Sequence, residues 1–570
     1  MSQESIARAL RRHYTQRKRF YRKLAPMPLV TGRVTSVAEA RSLRSDPTGA
    51  CPLGRLSAAA GCGCGARAFL DGLPQARAGI RQGADARLLE RERLVTRSLS
   101  AAAQRLELLP SEGADAERGS VTRAIDTLTL EYQDVEAQIR AGSPRYAALM
   151  QPKPLRLGEV QELLGDDASV LLQYFVGRSH SYLWAVTQHA VTGVVLPSRG
   201  DIDQQVRPYL AALSAPAGST AQLGAGHSDV GQPEIGEALS DMILGPVASH
   251  LSHLRVLIVA DGIVHFLPFA ALPDPRPLPS SAERAALVVD HEIVHLPSAS
   301  TIALLRGAWT RERQWPRPLL VFADPVFEVD DPRIARGPRA PQSGPRAPVS
   351  DRSQPLARAL RDMGRSSTGG IPRLLAARRE ARGIAALVPE ANVALDFSAN
   401  RETAMSLSTG DYRIVHFATH GLANGQHSEL SGIVLSLFDP KGRPQDGFLR
   451  LHDIYNLTLP ADLVVLSACS TGVGKEVAGE GLIGLVRGFM YAGSRRVLAS
   501  LWKVDDEATS ELMIHFYRGM FERGLTASAA LRAAQLELRS TTRWKLPFSW
   551  AAFVLQGDWT EQSLPLSRVR

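Results

Sequence analysis

Two short apolar runs in the C-terminal third restrict this chain more than any other feature. One is Arg413-Ile414-Val415-His416-Phe417-Ala418-Thr419-His420-Gly421, and the other is Leu463-Val464-Val465-Leu466-Ser467-Ala468-Cys469-Ser470-Thr471-Gly472. Each is rich in β-branched residues and stops at one reactive side chain followed by small residues. Runs of this kind read as strands buried on both faces, which belong to parallel sheets covered by helices. In such sheets the C-terminal strand ends form the rim where ligands bind. A histidine on one strand end and a cysteine on a neighbouring one supply a thiolate–imidazolium nucleophile. His420 is therefore the candidate general base and acid, and Cys469 the candidate nucleophile.

The same residues admit other readings. A free cysteine at the end of a buried strand also packs well as a small hydrophobe. His416, four positions before His420, falls on the same side of an extended strand, but it lies inside the apolar run and reads as a buried, hydrogen-bonded histidine. His427 follows Gly421-Leu422-Ala423-Asn424-Gly425 in a loop and has no stronger claim than any exposed histidine. His416, His420 and Cys469 would make up the three protein ligands of a catalytic zinc site, but no second cysteine lies near Cys469. No metal and no other cofactor is expected. Gly472-Val473-Gly474-Lys475-Glu476 fails as a phosphate-binding loop, because Cys469 stands at its first glycine position and Glu476 at its Ser/Thr position.

Further blocks surround these two. They are Ser169-Val170-Leu171-Leu172-Gln173-Tyr174-Phe175 with Tyr182-Leu183-Trp184, Val256-Leu257-Ile258-Val259-Ala260-Asp261-Gly262, and Phe266-Leu267-Pro268-Phe269-Ala270-Ala271-Leu272. Beyond Cys469 come Ala499-Ser500-Leu501-Trp502-Lys503-Val504-Asp505-Asp506 and Trp550-Ala551-Ala552-Phe553-Val554-Leu555-Gln556-Gly557-Asp558. In this order, from about Ala168 to Asp558, the chain resembles the CHAT domain, a caspase-like peptidase module related to separase that often follows tetratricopeptide repeats. The 49 positions from His420 to Cys469 are close to the His-to-Cys spacing of caspases, about 50 residues.

The resemblance implies an α/β fold: a caspase-like parallel-sheet sandwich with pseudo-dimeric halves, preceded by an α-helical N-terminal region. The N-terminal half would carry a degenerate site and the C-terminal half the working one. It implies a cysteine endopeptidase acting on a protein substrate, with the Gly421 and Cys469 amides as oxyanion hole. Asp505 and Asp506 resemble the acidic residues after a Leu-Trp-x-Val segment that line the S1 pocket of separases, where a carboxylate selects a basic side chain. An aspartate just before the helical run Ala508–Phe521 is equally an N-cap, so one of the two is expected to cap and the other to face the pocket, with Asp505 ahead of Asp506 for the pocket. The alternative function is a catalytically silent scaffold that binds protein partners.

A chain of 570 residues exceeds one ordinary domain. Residues 1–80 form a basic segment with a helical stretch from Ile6 to about Leu24 and little pattern beyond it. Residues 81–150 read as a helical hairpin, with Leu128, Leu130, Val135 and Ile139 as an apolar stripe and no 34-residue repeat. The peptidase domain spans 151–560, as a pseudo-subdomain 151–329, an Arg/Pro-rich loop 330–372 and a catalytic subdomain 373–560. The loop is a site of self-cleavage if the enzyme cuts after basic residues.

The helical N-terminal region is the expected contact for a regulatory protein partner. The net charge of +9 is concentrated at the N-terminus and between about Arg333 and Arg382. Solvated surface outweighs nucleic-acid or membrane-surface contact as its explanation. No apolar run approaches 18 residues, so no membrane span is expected, and no signal-peptide core is visible. Four cysteines suggest no disulfide framework and fit a reducing, cytoplasmic setting.

Overall fold

The apolar runs become the strands of one large sheet. The computed structural model describes isolated positions between 87 and 105 and residues 115–142, 154–214, 231–276, 284–308, 314–334, 371–406, 411–422, 431–455, 457–467 and 478–560. The basic N-terminal segment with Cys51, Cys62 and Cys64, most of the loop 330–372, His427, and Cys469 with Gly472–Glu476 lie outside the described residues.

Helices α1 (Asp115–Gly142) and α2 (Leu157–Leu164) precede strands β1 (Ser169–Phe175), β2 (Ser181–Val186) and β3 (Val191–Leu196). Helices α3 (Arg199–Ser214) and α4 (Gly231–Ile243) lead to β4 (Arg255–Val259) and β5 (Glu292–His295), followed by α5 (Ala299–Ala308). The second half begins with β6 (Arg317–Ala323), α6 (Leu375–Leu387), β7 (Asn392–Leu395), α7 (Arg401–Met405) and β8 (Tyr412–Ala418). Three short strands come next, β9 (His420–Leu422), β10 (Gly432–Val434) and β11 (Phe448–Arg450), then α8 (Leu451–Tyr455) and β12 (Leu463–Leu466). The order closes with α9 (Ala478–Tyr491), β13 (Arg496–Ser500), α10 (Asp506–Phe521), α11 (Ala527–Ser540), α12 (Pro547–Trp550) and β14 (Phe553–Gly557).

Eleven strands form a mostly parallel sheet in the order β3-β2-β1-β4-β5-β14-β13-β12-β8-β6-β7, and β11-β10-β9 form a small antiparallel one. Only β3–β2, β2–β1 and β14–β13 are antiparallel in the large sheet. The halves meet at the parallel pair β5–β14, where Val294 lies opposite Leu555. Their strand orders differ: the first half ends in an antiparallel hairpin edge, whereas the second runs parallel until β14. One apolar core extends from Val160 to Trp559 across both.

Alternation along β8 shows how the sheet is covered. Phe417 stacks on Phe322 at 5.0 Å and meets Phe489 of α9 at 5.6 Å. Its neighbour His416 points to the other face, where it meets Tyr517 of α10 and Glu380 of α6. Right-handed crossovers require this: β6–α6–β7 steps toward the sheet edge and β12–α9–β13 steps away from it, so their helices fall on opposite faces.

In α1 the buried positions Val121, Ile125 and Val135, with the partly buried Leu128 and Tyr132, recur at alternating spacings of four and three. Val121, Ile125, Leu128 and Tyr132 pack on Val95 and Leu99, and Arg91 pairs with Glu131 at 3.1 Å. Leu130, placed in the stripe by the sequence, is 66% exposed. Two positions past Leu128 it lies about 200° around the helix, so it faces away. Among the described residues no helix is long and apolar enough to cross a membrane.

Candidate active site

Parallel pairing fixes the rim. Phe322, Phe417 and Leu466 stand side by side on β6, β8 and β12, and Leu466 also lies opposite Ala499 of β13. Beyond that line β6 continues to Asp324, β8 to His420, and β12 to Ser467, the last described residue before Cys469. β13 leads to Asp505 and Asp506. Among the described residues, β8 and β13 thus lead to His420, Gly421, Asp505 and Asp506 from the same end of the sheet, the end at which β12 reaches Ser467.

His420 leaves the large sheet at Thr419. The fully buried Thr419 hydroxyl donates to the Val434 carbonyl at 2.5 Å, and β9 then pairs with β10, His420 opposite Val434 and Gly421 opposite Ile433. Gly432 allows this small sheet to close: a Cβ there would lie 2.4 Å from the Leu449 carbonyl oxygen. The His420 side chain is buried against the Phe327 ring at 5.3 Å, beside a cluster of Phe327, Ile371, Leu422 and Val434.

The imidazole is held by the backbone. Nε2 lies 2.7 Å from the Pro372 carbonyl oxygen. A carbonyl only accepts, so Nε2 keeps its proton in either charge state, and Nδ1 is the nitrogen that gains or loses one. This contact spans 48 positions and has no side-chain signature in the sequence. A backbone carbonyl that fixes tautomer and ring orientation was beyond sequence reasoning.

His416 belongs to a different environment. It is fully buried, with Nδ1 3.0 Å from the Tyr517 hydroxyl and Nε2 2.7 Å from Glu380 Oε1. Both ring nitrogens are engaged, so neither is left for a metal, and the zinc reading loses one of its three ligands. Buried polar groups with every partner satisfied organise a core.

Asp505 is the N-cap of α10: its Oδ1 accepts from the Glu507 and Ala508 amides at 3.0 Å each. Asp506 is half-buried in the first turn. Burial, and then the charges of Asp505 and Glu380, push its carboxyl above the ordinary value, against the pull of Lys503. Among the described residues no ion pair compensates it.

A second acidic centre, missed by sequence reasoning, lies at the end of β6. Asp324 is fully buried, has a left-handed backbone (φ 48°), and receives Arg373 at 2.6 and 2.7 Å, Arg378 at 2.6 Å and Arg333 at 3.2 Å. Burial alone would raise its carboxyl, but the Arg373 and Arg378 hydrogen bonds and the Arg333 charge hold it below the usual carboxylate range. The only sequence signal was the arginine density around it.

The chain is similar in part to known proteins. Human tetratricopeptide repeat protein 28 is 37% identical over 125 residues, 22% of this chain and 5% of that protein. The mouse protein of the same name is 35% identical over 121 residues, so the chain spans about one-twentieth of these relatives' length. A Saccharomyces cerevisiae separase–securin complex aligns at TM-score 0.40 and 10% identity, over 77% of this chain and 33% of that one. The Arg-specific cysteine proteinase gingipain R aligns at TM-score 0.32 and 10% identity, over 63% and 74%. The CHAT domain family model matches residues 233–558, from α4 through β14 and across both reactive strand ends. On that match, which covers more than half of its length, the chain belongs to the CHAT domain family.

Proposed function

We propose that this CHAT domain protein is a cysteine endopeptidase that works through His420 and Cys469. The observation that carries the reading is the buried His420 ring, whose Nε2 is fixed by the Pro372 carbonyl at the same rim toward which β12 runs. The Cys469 thiolate attacks the scissile carbonyl, and the negative oxygen is stabilised by the Gly421 and Cys469 amides. His420 Nδ1 gives its proton to the leaving amine, and the acyl group remains on sulfur as a thioester. Water, deprotonated by His420, then releases the acid and restores the thiol.

Asp506 is the better candidate for selecting a basic P1 side chain. Its charge is partly desolvated, only partly offset by Lys503 and in no ion pair among the described residues, which an arginine or lysine ligand would relieve. Asp505, exposed and employed as a cap, keeps its second oxygen for the same pocket at most. The peptidase unit is taken as residues 151–560.

The helical hairpin before it has its own apolar cluster and leaves Leu94 52% and Leu130 66% exposed, which suits contact with a regulatory partner. The same exposure favours the second reading, a silent CHAT scaffold. Labelling by an arginyl acyloxymethyl ketone separates the two. Labelling lost in both Cys469→Ala and His420→Ala supports the peptidase with a basic S1 pocket. Indifference to both substitutions, with and without cell lysate as a source of activator, leaves the scaffold.

A further inference from the structure

We propose that Asp324 is a positioning residue for His420, acting through Arg373 and the Pro372 carbonyl. The inference rests on the peptidase reading above and assigns its site a support from β6.

The Pro372 carbonyl and the Arg373 amide nitrogen share one planar peptide group. A restraint on Arg373 therefore limits the directions open to the oxygen that holds His420 Nε2. Pro372 itself is exposed, so packing around its ring does not set that direction. Its neighbours do: Ile371 is buried in the Phe327 cluster, and Arg373 forms a fork on Asp324, Nε to Oδ1 at 2.7 Å and Nη2 to Oδ2 at 2.6 Å. A bidentate pair restrains orientation as well as distance.

Asp324 is suited to be the fixed member of this chain of contacts. It follows directly on β6, whose Ala323 lies opposite Ala418 of β8, the strand that delivers His420. Its carboxylate is inaccessible to solvent and also held by Arg378 and Arg333. Arg333 is fixed in turn by Asp331 and Asp396, each at 2.6 Å, and donates to the Asp324 carbonyl oxygen at 2.7 Å. Asp324 also adopts a left-handed backbone without being glycine, a strained conformation of the kind that collects at functional sites.

The test is the pH dependence of Cys469 alkylation by iodoacetamide in the full chain, with the modified residue located by mass spectrometry. A paired thiolate reacts below the ordinary thiol range, whereas an unpaired cysteine needs pH near about 8.5. Asp324→Asn and Arg373→Gln should both move the profile toward that ordinary range and slow alkylation at neutral pH about tenfold, one pH unit of thiolate population. Reactivity at high pH should stay as in wild type. Arg373→Gln leaves Asp324 paired with Arg333 and Arg378, so it reads the effect even if Asp324→Asn unfolds.

Arg378→Gln removes a ligand of the same carboxylate that is not adjacent to Pro372, and should shift the profile less. Equal shifts for Arg373→Gln and Arg378→Gln, or none for Arg373→Gln, would overturn the proposal while leaving the dyad in place. A wild-type profile in His420→Ala would instead remove the dyad, and the proposal with it.

Discussion

Leu466 of β12 lies opposite Phe417 of β8, and in sequence the two residues of the proposed dyad, Cys469 and His420, each follow three positions later. Equal offsets from one paired position make the thiol's place in the chain as important as its presence. Moving it by one residue, in the double variant Cys469→Ala with Ser470→Cys, should not restore arginyl ketone labelling. Reactions that depend on a near-attack geometry lose about a hundredfold for a 1 Å misplacement. Labelling of the double variant at the wild-type rate would show that the offset carries no information.

Glu380 and His416 are expected to matter for stability rather than chemistry. Removing one member of a buried hydrogen-bonded pair leaves the other unsatisfied, so Glu380→Ala should destabilise by about 1–3 kcal/mol. His420→Ala should abolish probe labelling with a smaller stability loss. Denaturant unfolding of both variants checks the contrast, and similar midpoints would count against it.

Gly432 holds the small sheet at close approach, with the Leu449 carbonyl 2.4 Å from where a Cβ would lie. Gly432→Ala must push β10 away from β11, and therefore disturb β9 and His420. Overpacking of this kind costs about 1–3 kcal/mol. Thermal unfolding together with probe labelling should show a modest loss of stability and a larger loss of labelling.

The two adjacent aspartates should respond in opposite directions. Asp505→Ala removes the cap of α10 and should destabilise by about 1 kcal/mol. Asp506 has a folded-state pKa above its ordinary value of 3.8, so the folded protein binds its proton more tightly than the unfolded chain does. Its ionisation thus lowers stability as pH rises from 3.8 through the folded-state pKa, and the penalty is complete above that window. Asp506→Asn should raise the melting temperature at neutral pH, flatten the decline in that window, and weaken labelling by the arginyl ketone. Unchanged labelling would move the basic pocket elsewhere.

What could be read from the sequence was what local pattern determines. Continuous apolar runs gave the buried strands. The position of His416 inside such a run indicated its burial, and an aspartate before a helical run indicated a cap, although Asp505, which supplies it, was the one favoured for the pocket. Contacts made at long range were not legible. The β5–β14 seam joins segments far apart in sequence, and the Pro372–His420 contact uses a backbone oxygen that any residue possesses. The strands β9–β11 are three residues each, too short for periodicity to register. Leu130 is apolar yet exposed because apolar character alone does not place a residue on the buried face of α1; its angular position does.

The fork on Asp324 has one more consequence. Arg333 and Arg373 flank the Arg-rich stretch of the sequence, and both grip the same buried carboxylate. The described residues on either side of that stretch are therefore anchored on one carboxylate at the end of β6, which is itself paired between β7 and β8. A nicked molecule should run as two bands on a denaturing gel and yet elute from a sizing column as one native particle, with the Pro372 carbonyl still tied through Arg373.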